Sequence, residues 1–330
     1  RQAPQDPSSW GDLPVGQMQD VPYTGEIPEL DISEVEVELP PVDVGEAEPQ
    51  DEVPLEDEGR TFYGLSELRS HFEPRRAWER AVREMTQWEP RFEVRARAVT
   101  ERQEQETIGR SRKAGLPSAA KDGAKYSEAT FPTEGDPWKN LFEQVVEPLR
   151  RALFRISADE TTRTLSGRPY TVDDAGRETL REQGDAYRSD VNATTSKHLD
   201  ELVERARAEK WDAKEFERHA RELFALRKKQ AKVQAHTEVG AAWNAGTADG
   251  SAQAGNVDAL RWVSQFDDVV RATHWDATGQ VRAVGATFTI GGQSARYPLD
   301  PRLSAEERAN CRCITVPVLE EIAFLAGGKE

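Results

Sequence analysis

Two cysteines in 330 residues, Cys311 and Cys313, exclude a small disulfide-stapled scaffold. They stand one residue apart in a stretch that reads as a strand. Alternate strand side chains leave on opposite faces, so the two also make a poor disulfide pair. This usage fits a reducing compartment. No run of eighteen apolar residues is present, so no membrane span is expected. The start carries no basic stretch followed by an apolar one, which excludes a secretory signal there. Position 1 is Arg rather than Met, which leaves an omitted leader and a proteolytic end both open. There is no G-x-x-x-x-G-K-[ST] loop, which excludes a P-loop motor. H-x-E and P-C-x-x-C are both missing, which excludes a zinc deaminase.

Acidic charge is abundant but unevenly placed. The net charge is −16, and residues 1–59 alone hold 17 Asp/Glu against one Arg. The remaining chain is therefore neutral. Within it, residues 60–125 carry 15 bases and 10 acids. Hydrophobic content is 37% and mean hydropathy is −0.75, so part of the chain is expected to lie outside a packed core. The acidic, Pro-rich segment cannot bury enough apolar surface to offset its own ordering entropy. Its scattered apolar residues are Trp10, Leu13, Tyr23, Ile27, Leu30, Ile32, Val35 and Val37, and they read as anchors on a partner. The stretch 34–39 alternates strictly, as a strand added to a neighbouring sheet edge would.

The expected organisation is an extended acidic arm over 1–60, a mildly basic helical region over 61–165, a helix-plus-strand domain over 166–320 and a tail over 321–330. In the helical region, Leu65, Leu68, Phe72, Trp78, Val82 and Met85 follow helical spacing. Pro74 and Pro90 are expected to cut it into pieces. Residues 114–135 read as a loop, and Asp136 with Pro137 as a helix start. Pro148 predicts a kink, and Ser166-Gly167-Arg168-Pro169 a break. Three apolar stripes follow, at Leu199–Ala206, Phe216–Phe224 and Ala235–Gly246. Asp212 and Glu215 are spaced as a capping box before the second. From Arg261 the period changes to two. Segments 261–266, 281–285, 287–290 and 313–318 read as strands, with a hairpin turn at Gly291-Gly292. Helices first and strands last give an α+β fold.

The C-terminal run is W-V-S-x-x-D-D, V-R-x-x-H-W, T-G-Q-V, F-T-I-G-G, Y-P-L-D-P and N-C-R-C-I-T-V. It resembles the signature of the phage Mu F-like minor head proteins. The resembling positions are Trp262, Ser264, Asp268, Arg271, His274, Gly279, Phe288, Gly291, Tyr297, Pro298, Asp300, Pro301, Asn310, Cys311, Arg312 and Cys313. With the helices upstream, the resemblance covers about residues 185–318. Three positions depart from the family pattern: His236 stands where Arg is more common, Thr278 where an acid is usual, and Leu299 where Gly is common. The resemblance implies a non-enzymatic protein of the virion, bound at or near the portal and acting in prohead assembly and DNA packaging. Its partners would be the portal protein and other head proteins, with no cofactor and no membrane. It would sit inside the head near the portal vertex, and in the host cytoplasm during assembly. Some members carry a toxin domain after the C-R-C, which the short stretch beyond Cys313 would not hold.

His274, Cys311 and Cys313 are the obvious cluster for chemistry. A zinc site prefers C-x₂₋₄-C spacing and four ligands, and C-x-C in a strand separates its sulfurs unless the strand bulges. The residues alone therefore favour a packed Cys, a hydrogen-bonded His274 and no metal. A Cys–His nucleophile would also need an oxyanion loop, and nothing in the sequence reads as one. The expectation is a structural cluster of Asp268, Arg271, His274, Gly279, Tyr297, Asp300, Asn310, Cys311, Arg312 and Cys313, with no catalytic residue. Arg75, Arg76, Arg80 and Arg83 in the basic region are candidates for weak contact with packaged DNA or with protein. Glu73, Glu79 and Glu84 interleave with them, and such a face is often only solvated. Two further classes remain beside the head protein: a metal- or Cys-dependent enzyme delivered with the genome, and a DNA-binding accessory.

Overall fold

The computed structural model describes residues 65–114, 138–265 and 270–319. The described residues belong to one compact unit. The arm, its eight anchors, the 114–135 loop beyond Ala114, the Asp136–Pro137 helix start, Asp268 and the tail lie outside the described residues.

The described chain is mostly helical, with a small antiparallel sheet at its end, which is the α+β class expected. A short α1 (Leu65–His71) is followed by α2 (Pro74–Ala114). Pro74 opens α2 at a position where its missing N–H is harmless. Pro90 does not break the helix, contrary to expectation. An interior Pro removes a hydrogen bond and costs about 3 kcal/mol. Here α2 keeps one continuous buried face across it: Ala81, Met85, Phe92, Ala96 and Val99. Burying side chains of this size contributes roughly 1.5–3 kcal/mol each for the larger ones, so the face outweighs the proline.

Next come α3 (Lys139–Val145) and α4 (Glu147–Ser166), divided just before Pro148. Gly167 ends α4 in the left-handed region at φ 70°, at the break read from the sequence. Two long helices follow, α5 (Asp174–Glu209) and α6 (Ala213–Ala254). They form a hairpin whose turn is set by Lys210 at φ 57° and by the Asp212–Glu215 capping box, with both reciprocal bonds made. The second and third apolar stripes are one 42-residue helix rather than two. No Gly or Pro stands between Phe224 and Ala235 to separate them.

Helices α2 and α4 pack along α6, so stretches 61–165 and 166–320 share a core. It joins Phe92 and Val99 of α2, Phe142 of α3, Leu153 of α4, Tyr187 of α5 and Val239 and Trp243 of α6 to Val263, Ile314 and Val316 of the sheet. Helices α4 and α6 touch at backbone distance. A Cβ on Gly246 would lie 2.4 Å from the Phe154 carbonyl oxygen, and one on Gly250 2.4 Å from that of Ala158. The far end of the α5–α6 hairpin has its own cluster around Trp211, Phe216 and Phe224.

The sheet has the order β2-β1-β5, with β1 (Ala259–Val263), β2 (Val281–Ala283) and β5 (Ile314–Val318) antiparallel. Trp262 faces Thr315 across the β1–β5 ladder, and Val263 faces Ile314. Pro317 lies on the edge strand, where a missing donor is tolerated. Between β1 and β5 run α7 (Ala272–Ala277), the hairpin β3 (Phe288–Ile290) and β4 (Gln293–Ala295), and α8 (Ala305–Arg308). Gly291 and Gly292 make the expected turn, with φ of 53° and 79°. Strand β5 starts at Ile314, one residue after Cys313, and this shift governs the site below.

Candidate functional site

Strand β1 fixes the floor of the site. The Trp262 backbone donates to Gln280 O at 2.9 Å, and Gly279, at φ 83°, donates back to Trp262 O at 2.9 Å. That loop folds α7 onto β1 and sets the His274 ring edge-on to the Trp262 indole, 6.0 Å between centroids. Ser264 Oγ donates to the His274 carbonyl at 2.6 Å and receives the Thr278 hydroxyl at 2.6 Å. The guanidinium of Arg271 reaches the Ala309 carbonyl and ties α7 to the segment before β5.

That segment carries both cysteines. Asn310 takes φ 59°, and its N–H donates to Thr237 Oγ1 of α6 at 3.1 Å. The chain then passes Cys311, Arg312 and Cys313 without strand geometry. The expected alternation therefore fails: both sulfurs turn to the same imidazole. Cys313 Sγ lies 3.3 Å and Cys311 Sγ 3.4 Å from His274 Nδ1. The Cys313 N–H points at Cys311 Sγ, 3.4 Å away. The other ring nitrogen, Nε2, lies 2.9 Å from Glu307 Oε2, which also receives the Thr273 hydroxyl at 2.9 Å. All three ligand-type atoms of His274, Cys311 and Cys313 lie within 4.8 Å of one another, and all three residues are buried. Arg312 points outward, while its carbonyl accepts from Trp78 Nε1 of α2 at 2.9 Å. The Cys313 carbonyl accepts from Asn244 of α6 at 3.0 Å, and Asn244 Oδ1 accepts from Thr315 N–H.

The three groups polarise one another. Burial opposes charge on Cys313, but contacts from Cys311 and His274 outweigh it and bring its thiol down to about 5. Burial pushes the Cys311 thiol well up, helped by neighbouring Cys313. Burial depresses His274, but the Cys313 sulfur reverses this and holds the imidazole above its ordinary value.

Tyr297 and Asp300 are buried beside this cluster rather than in it. Asp300 accepts from Arg296 N at 2.7 Å, Arg296 Nε at 3.0 Å and Arg302 N at 3.1 Å, closing the turn after β4. Leu299, at φ 69°, seats its side chain over Gly240 of α6, where a Cβ would come within 2.5 Å of Leu299 Cδ1. A residue with a side chain is strained in this backbone region, which Gly occupies freely. Arg75, Arg76, Arg80 and Arg83 lie apart from the cluster, on α2. Arg75 pairs with Glu79 at 3.0 Å, Arg80 with Glu160 at 3.4 Å, and Arg76 bonds Ser70. Two grooves, of about 240 and 30 Å³, open near Phe72 and Pro317, and neither is lined by His274, Cys311 or Cys313.

Sequence reasoning missed Glu307, Thr273 and Asn244. Glu307 stands three residues after Ser304, a spacing that reads as a capping box, and only its carboxylate's turn towards His274 reveals another use. It also missed a buried ion cluster in the bundle: Arg150 bonds Glu147 and, at 2.5 Å, Glu238, beneath the Tyr187 ring.

No family model matches the chain, and no solved structure matches it. Two curated proteins are similar over part of its length. The uncharacterized protein YqbB of Bacillus subtilis is 35% identical over 97 residues, covering 28% of this chain and 32% of that protein. The NAD(+)--arginine ADP-ribosyltransferase EFV of Enterococcus faecalis is 33% identical over 98 residues, covering 29% of this chain and 20% of that enzyme. The chain thus spans about a third or less of these relatives.

Proposed function

We propose that this chain is a minor structural protein of a tailed-phage head, bound at or near the portal and acting in prohead assembly and DNA packaging. One observation supports this most: the residues that carry the Mu F-like resemblance are used to close the fold. Trp262, Gly279, Arg271, Asp300 and Asn310 each bond a turn or a neighbouring element. The paired sulfurs are buried and line neither groove. A unit closed in this way suits the presentation of surfaces to partners. The acidic arm supplies the charge and apolar anchors for docking on a basic partner surface. No helix among the described residues is long and apolar enough to cross a membrane.

A second reading, an ADP-ribosyl-transferring enzyme, has the similarity to EFV in its favour. The shared stretch is a fifth of that enzyme, which fits a module carried beside a separate catalytic part. Co-expression of the full chain with the portal protein encoded in the same genome tests the first reading. A stable complex on size-exclusion chromatography is the expected result, with no NAD+ cleavage by the purified chain. Failure to bind portal together with NAD+ turnover would reverse the two readings.

A further inference from the structure

We propose that His274 Nδ1, Cys311 Sγ and Cys313 Sγ bind one zinc ion, which pins α7 to the turn that enters β5. Tetrahedral zinc with Zn–N of ~2.05 Å and Zn–S of ~2.3 Å places a nitrogen and a sulfur ligand about 3.5 Å apart. The two nitrogen–sulfur distances here are 3.3 and 3.4 Å. Hydrogen bonding alone leaves this arrangement without a full account. A ring nitrogen has either one lone pair or one hydrogen in the ring plane, so it serves one partner well. Two sulfurs converge on Nδ1, as ligands converge around a shared ion.

The surroundings match a metal site in three further respects. Glu307 engages Nε2 at 2.9 Å. A carboxylate there takes the Nε2–H and leaves the Nδ1 lone pair facing the sulfurs, the arrangement that orients metal-bound histidines. The Cys313 N–H directed at Cys311 Sγ supports a charged sulfur in a buried place. The C-x-C spacing, unfavourable in a strand, becomes usable because Asn310 reverses the backbone at φ 59° before the first cysteine. Binding would release the thiol protons to solvent. Two thiolates and a neutral imidazole then balance a divalent charge, so no net charge is left buried. Three protein ligands leave the fourth tetrahedral position to a water. Cysteine sulfur and imidazole nitrogen select zinc over magnesium or calcium, which want oxygen.

The test uses the full chain purified without chelator. Elemental analysis is expected to give one zinc per chain, and replacement by cobalt to give the strong visible bands of a tetrahedral thiolate site. Cys313→Ser and His274→Ala should lose the metal. Glu307→Gln leaves all three ligands in place, so it guards against a mere folding defect. It should keep the bands at saturating cobalt while weakening zinc affinity about 10–100-fold in a chelator competition. A wild-type protein that is isolated without metal, shows no cobalt bands and has the same Tm with and without chelator would overturn the proposal. It would leave a thiolate–imidazole pair in its place. Equal zinc affinity for Glu307→Gln and wild type would refute the orienting role given to Glu307.

Discussion

Replacing Gly250 by Ala places one methyl group where α6 meets α4. Its carbon would stand 2.4 Å from the Ala158 carbonyl oxygen and 3.0 Å from the Ala158 Cα. Backbone cannot rotate away as a side chain can, so the helices must part by roughly 1 Å to restore ordinary contact. Overpacking of this kind costs about 1–3 kcal/mol. Parting the helices also stretches the buried Thr162 hydroxyl bond to the Gly250 carbonyl (3.0 Å) and the Ser157 bond to the Trp243 carbonyl (2.8 Å). Each is worth about 1 kcal/mol. Against this, Ala is better than Gly in a helix by about 1 kcal/mol. The expected net loss is about 2–4 kcal/mol, or a Tm lowered by roughly 4–16 °C for a unit of this size. Gly109→Ala in α2 is the matched control, because nothing lies within 4 Å of its Cβ position. That change should raise Tm slightly. Differential scanning calorimetry of the two variants decides the point. If Gly250→Ala were as stable as Gly109→Ala, the close α4–α6 crossing would be wrong.

The buried Arg150–Glu147–Glu238 cluster predicts that Arg150→Met lowers stability by about 3–5 kcal/mol in urea titration, with Leu at all three positions recovering most of it. Burial raises the Glu238 carboxyl although Arg150 opposes it. The folded state then holds a proton the unfolded chain releases near 4.5. That contribution is full below this value and is lost as pH rises through the folded pKa, and Glu238→Gln should flatten the fall. Deleting residues 1–60 should leave the far-UV spectrum and Tm of the compact unit nearly intact, since so acidic and Pro-rich a segment is expected to dock on a partner rather than add to this core. An equal loss of Tm would place the arm in the core. Arg75, Arg80, Arg97, Arg110 and Arg112 of α2 are paired with acids, so DNA binding should be weak and fall steeply with salt. A nanomolar gel shift at near-physiological salt, abolished by Arg75→Glu with Arg76→Glu, would contradict this.

Local rules made the punctuation legible. The Asp212–Glu215 box, Gly167 and Gly291-Gly292 each satisfy a backbone requirement that few other residues meet, so they read correctly without tertiary context. Pro90 read wrongly because its penalty is local while the compensating face, Met85 to Val99, is set by packing on α6. The cysteine pair read wrongly for a related reason. Period-two alternation requires a strand at Cys313, and the left-handed turn at Asn310, held by Thr237 from α6, delays the strand by one residue. Glu307 was hidden because its sequence spacing also satisfies a helix cap. Side chains whose partners lie on remote elements carry no period of their own.

The proposed place of this chain is in the virion head. Its most direct test is mass spectrometry of gradient-purified particles and proheads produced by the strain that encodes this chain. The chain is expected in proheads and in full heads, with incorporation lost when residues 1–60 are deleted. Its absence from both particle classes, with the chain intact in the soluble fraction, would contradict that claim.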